Sequence, residues 1–214
     1  LLAGVGAAGT VNGGNANGIY AANYGTGTTT INSAGTITGG SGAGISTTEN
    51  AGTAVAINLN NGANVSATSG LAIKDTNGNA TVTMDSGSKL SGQVLLGNGN
   101  DNMIVKGTAD ISGATLLDGG NSTDGTVTDI LGTAGAATNK LTFQGATQGV
   151  AGSMLKNWQT VTLDGSNVTF TGDATLVTGA GSNSDGSLQG LVLKNASTLT
   201  SPMALAVTGD VAID

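Results

Sequence analysis

The chain has 214 residues, with six Lys, no Arg and no His against 13 acidic residues, giving a net charge of −7. This balance excludes a phosphate-binding surface for nucleic acid, which needs Lys and Arg, and disfavours an anionic membrane surface. Without His or Cys, Ser-His-Asp and Cys-His catalysis, thiolate metal sites and disulfides are all excluded.

Only 9% of residues are charged, but 38% are hydrophobic, so the chain is not of the disordered type. Aromatics make up 2%, and there are 38 Gly and one Pro. A core without aromatics has to be assembled from thin, repeated layers of Val, Ile, Leu and Ala. The chain begins Leu1-Leu2-Ala3-Gly4 without a basic n-region, and no apolar run approaches the roughly 18 residues of a membrane helix. The expectation is one segment over residues 1–214, internal to a longer protein.

In chain order, Gly9–Gly25, Gly35–Gly52, Gly62–Gly78, Gly87–Asp101 and Thr108–Asp124 repeat one plan. Each has a short apolar strand, a Gly or Ser corner, a second strand and a polar turn. The central apolar residue recurs at Val11, Ile37, Val65, Leu90 and Ile111, then at Leu141, Val168 and Leu199. Between these markers lie TTTIN (Thr28–Asn32), AVAINL (Ala54–Leu59), ATVTM (Ala80–Met84) and NMIV (Asn102–Val105). Later come QTVTL (Gln159–Leu163) and VTFT (Val168–Thr171). Alternation of Thr with an aliphatic residue puts the aliphatic inside and Thr outside. No segment shows a helical period.

A unit of two or three strands cannot bury its own face, so the units must stack. The fold expected is all-β, a right-handed parallel β-helix of about eight rungs. Ile104, Val105, Leu95, Leu116, Leu117 and Val161 are expected to point inward. The Gly-rich stretch from Leu1 to Gly52 is expected to be less stable than the rungs after Leu90.

Leu96–Gly132 and Leu155–Asp173 hold a G-x-G-x-D rung, a D-G-G rung and an L-x-N-W-x-x-V-x-L rung. This succession resembles the passenger domains of monomeric (type V) autotransporters, the AIDA-like and fibronectin-binding adhesin group. The likeness is clearest over Gly87–Asp173. It implies secretion through an outer-membrane β-barrel carried by the parent chain and display on the bacterial surface. It also implies adhesion to host matrix or cells, or self-association in aggregation and biofilm. The helical necks of trimeric autotransporters are absent from the sequence.

Candidate chemistry is sparse. Asp101, Asp110, Asp118 and Asp124 could supply the paired carboxylates of a β-helical, pectinase-like carbohydrate-active domain, which sit about 5–10 Å apart. Each lies in a turn, where Asp normally serves its own backbone. The expectation is therefore a non-enzyme with no cofactor.

Gly97–Asp101 resembles half of a calcium nonapeptide and makes Asp101 the one metal candidate. The neighbouring Gly119–Asp124 has Ser and Thr where Gly and a free carbonyl are needed, so no complete calcium set is expected. Trp158 is expected to pack at a corner or to cover the core between rungs, while Tyr20 and Tyr24 flank a turn and could be packed or exposed. The triplets Thr36–Thr38, Thr81–Thr83, Thr126–Thr128 and Thr160–Thr162 do not share one rung phase, which argues against an ice-matching face.

Overall fold

A computed structural model describes residues 1–120, 138–183 and 186–214. Their regular structure is all β-strand, apart from one short 3-10 helix at Gly152–Met154, with turns between the strands. The first face of the molecule is a nine-stranded, all-parallel sheet. Its strands are Leu2–Val5, Thr29–Ser33, Ala54–Leu59, Asn79–Met84, Asn102–Lys106, Lys140–Gln144, Thr160–Asp164, Gly190–Lys194 and Val211–Ile213. Each belongs to the turn of chain after its predecessor, so nine strands stack as eight complete rungs of a parallel β-helix. The expected rung number and fold class are what is seen.

Alternation builds the core. One inward column runs Ala3, Ile31, Ile57, Val82, Met103, Leu141, Val161, Leu191 and Val211. The second runs Val5, Ser33, Leu59, Met84, Val105, Phe143, Leu163, Leu193 and Ile213. The intervening outward positions carry Thr30, Asn32, Asn58, Thr81, Thr83, Asn102, Thr142 and Thr162. The polar periodicity of the sequence thus becomes an outer face, and the apolar periodicity becomes the rod's filling.

The other faces form a second nine-stranded sheet together with a three-stranded and a two-stranded one. In the early rungs each turn carries two further strands, such as Asn64–Ala67 and Leu71–Lys74. They merge over two rungs only, in Asp110–Asp118 and first in Lys89–Leu95. The first half of that strand pairs with Asn64–Ala67 and its second half with Leu71–Lys74. The bend falls at Gly92, whose φ of 113° and whose 2.4 Å spacing from a built Cβ to the Gly70 carbonyl admit only glycine.

Three expectations need correction. Leu141 is not the marker that follows Ile111; it belongs to the first face, between Met103 and Val161. The matching strand is Thr147–Val150, whose Gln148 aligns with Val168. Ile104 points outward and is half-buried, with Met103 and Val105 fully buried on either side. Leu116 is likewise only half-buried beside the buried Leu117. Runs such as Met103-Ile104-Val105 and Leu116-Leu117 carry no alternation, so they do not fix which residue faces in.

The apolar core is closed from Ile31 to Leu191, and both end rungs are open, with the inward Ala3 and Val5 only half-buried and the inward Val211 and Ile213 exposed. The packing deficit expected before Gly52 is confined to the first rung and has its counterpart at the other end.

Candidate functional site

The structure assigns most sequence candidates to the scaffold. Trp158 is fully buried, as expected. Its indole N–H donates to the Leu117 carbonyl at 2.9 Å, and its ring lies against Gly119, where a Cβ would come within 2.7 Å. The Asn157 amide donates to Asp118 at 2.7 Å, and the Asp118 carboxylate also accepts the Gly120 N–H at 3.1 Å. The D-G-G rung is therefore the seat of the L-x-N-W rung below it. Asp caps the turn, and Gly119 leaves room for the indole.

Asp101 is buried and accepts the Ala80 N–H at 2.7 Å, while its own N–H donates to Asn139. The Asn139 amide reaches the Asn157 main-chain carbonyl at 3.3 Å, so the main chain of Asp101 is linked to the Asp118 carboxylate through Asn139 and Asn157. Both carboxylates serve backbone there. Asp110 opens the nine-residue strand that Asp118 closes, on a different face of the rod, so it does not form a working pair with it. It faces Lys89 at 3.6 Å. Hydrogen bonds from the Ser112 hydroxyl and N–H, with Lys89 adding less, hold its carboxyl below the usual range.

Asp124 and the Thr126–Thr128 triplet lie outside the described residues. Among the described residues no three acidic side chains form a metal-binding group.

Tyr20 and Tyr24 are exposed, at 59% and 66%, Tyr20 within the strand Ile19–Asn23 and Tyr24 just beyond it. An open groove of about 520 Å³ runs past Lys89, Asp110, Thr147 and Gln148. It marks an interruption of strand pairing, since Thr147–Val150 pairs with Asn167–Phe170 below it but not with Asp110–Asp118 above it. The Gln148 amide spans the break to the Ala109 carbonyl at 2.5 Å.

Thr81–Thr83 and Thr160–Thr162 share the two outward columns of the first face, but Thr36–Thr38 sits on another sheet. Ala56, Ile104 and Lys140 interrupt the Thr columns. No continuous Thr lattice results among the described residues.

One arrangement was missed by sequence reasoning. Glu49, the only Glu of the chain, and Asp75 are both buried, at 2% and 1% exposed. Glu49 ends the strand Ile45–Glu49, and Asp75 follows the strand Leu71–Lys74 one rung below. Asp75 accepts the Thr47 hydroxyl at 2.6 Å and the Gly78 N–H at 2.9 Å. Neither Glu49 oxygen has a hydrogen-bond donor, nor does the buried Thr29 hydroxyl have a partner. Burial, reinforced by the neighbouring Asp75, pushes Glu49 from 4.5 up to about 8, and burial raises Asp75 as well. The available signal was the phase of I-S-T-T-E, which places Ile45, Thr47 and Glu49 on the inward side.

Comparison with protein-family models, curated proteins and solved structures finds no match to this chain. The functional reading therefore rests on the rod itself.

Proposed function

We propose that this chain is part of a cell-surface adhesin or adhesive stalk. It would be displayed on a bacterial outer membrane through a barrel in the parent protein, and would bind host matrix, a cell-surface protein or glycan, or another copy of itself. The observation that carries this reading is the outer face of the nine-stranded sheet. Rung after rung it presents short polar side chains, among them Thr30, Asn32, Asn58, Thr81, Thr83, Thr142 and Thr162.

Short Thr and Asn side chains lose little rotamer freedom on contact and offer donors and acceptors at a fixed rung spacing of about 4.8 Å. An extended partner would meet many weak contacts, and many copies per cell would multiply them. The buried, backbone-serving positions of Asp101 and Asp118 favour this reading over a carbohydrate-active domain.

Bacteria displaying the full passenger are expected to bind immobilised matrix or to aggregate. Replacing Asn58, Thr83 and Thr162 together by Glu should reduce that binding at least several-fold without loss of β-sheet circular dichroism. Unchanged binding in the triple variant contradicts the role of this face. Release of reducing sugar from polygalacturonate by the purified chain would instead support the pectinase-like alternative.

A further inference from the structure

We propose that Glu49 and Asp75 share a single proton and act as an acid-locked clasp between two early rungs, which loosens as the medium turns alkaline. The geometry leaves three orphan atoms in one buried corner: both Glu49 oxygens and the Thr29 hydroxyl. One added proton, together with a turn of the Thr29 hydroxyl, satisfies all of them. A protonated Glu49 donates to Asp75, and its other oxygen accepts the hydroxyl of Thr29. Asp75 is already prepared as the acceptor, because Thr47 and Gly78 donate to its two oxygens.

The groups packed around Glu49 supply no competing charge. Asn23 aligns with it from the strand above, Thr29 faces it from the first sheet, and Asp75 approaches from below. Lys74 makes no ion pair with either carboxylate among the described residues, and Asp101 lies a further rung away, bonded to the Ala80 N–H. Two buried carboxylates without a cation must be neutralised by a proton or a metal ion. A calcium ion wants six to eight oxygens, and of the six in this corner the two of Asp75 already accept the Thr47 hydroxyl and the Gly78 N–H. The proton accounts for every orphan with fewer demands.

The direction of the pH effect follows. Glu49 titrates at about 8 when folded and near 4.5 otherwise. The clasp's stabilisation is therefore complete below about 4.5 and is lost progressively as pH rises to about 8. Asp75 is shifted the same way and adds to the same trend.

Because Glu49 is the only Glu, selective ¹³C labelling of glutamate gives one carboxyl signal for the whole chain. That signal is expected to titrate with a midpoint near 8, and the melting temperature should fall by several degrees between pH 6 and pH 9. Glu49→Gln places a permanent donor against Asp75 and should remove most of that pH dependence while keeping the fold. A carboxyl midpoint between 4 and 5 overturns the clasp, as does a Glu49→Gln variant with the wild-type pH slope. Calcium chloride at pH 8 that shifts the Glu49 signal and raises the melting temperature, reversed by EDTA, overturns it in favour of a cation site.

Discussion

Replacing Trp158 with Ala is expected to cost about 3–5 kcal/mol, a large share of the stability of any domain. The indole is fully buried at the joint between two rungs, so its removal leaves a cavity that the stacked strands cannot close. It also strips the Leu117 carbonyl of its indole donor. Trp158→Phe should recover part of the packing but lose the indole hydrogen bond, at a cost of about 0.5–1.5 kcal/mol. Gly119→Ala attacks the same joint from the other side, since the new methyl would meet the indole at 2.7 Å. Urea melts followed by circular dichroism at the β-sheet minimum measure all three. A Trp158→Ala loss below about 1 kcal/mol would mean that the indole is surface decoration.

Met103→Asp and Ile104→Asp are expected to differ far more than two adjacent hydrophobic positions normally would. Met103 stands in the inward column between Val82 and Leu141 and is fully buried. A carboxylate there has no partner and should cost several kcal/mol, enough to melt the rungs around it. Ile104 stands in the outward column between Thr83 and Thr142, and its replacement should stay within about 1 kcal/mol. Each rung contacts only its neighbours, so the Met103 variant should lose hydrogen-exchange protection first in the strands Asn79–Met84 and Lys140–Gln144. Equal damage from both changes would show that the strand's phase is wrong.

The legible parts of the molecule were those where chemistry alternates. AVAINL spells its inward Val55, Ile57 and Leu59 directly, and the structure's strand has the same bounds, Ala54–Leu59. The rung count followed from the eight central apolar markers, Val11 to Leu199, recurring along the chain. What failed lacked alternation or broke it. Ile104 sits in an unbroken apolar run. Gln148 stands at an inward position that a search for aliphatic markers passes over, so the nearby Leu141 was taken in its place.

Trp158 was legible as packing because large aromatics are seldom left outside, but its partner was not, because Gly119 advertises nothing except a missing side chain. The Glu49–Asp75 pair was hidden by a separation of 26 residues and by an Asp-Thr-Asn-Gly turn that reads as ordinary turn chemistry. Only the rung register brings the two together.

That register is the claim on which the outward face, the Trp158 joint and the buried acid pair all depend, and the absence of cysteine makes it directly measurable. Thr83 and Ile104 are paired on adjacent rungs and both point outward. Their Cα atoms should lie about 4.8 Å apart, within the range a disulfide spans. Thr83 and Thr142 lie two rungs apart in the same column, roughly 9.6 Å, beyond that range. Under mild oxidation the Thr83→Cys, Ile104→Cys chain is expected to form an intramolecular disulfide, and the Thr83→Cys, Thr142→Cys chain is expected to keep free thiols. Free thiols in the first chain and a disulfide in the second would contradict the parallel stack.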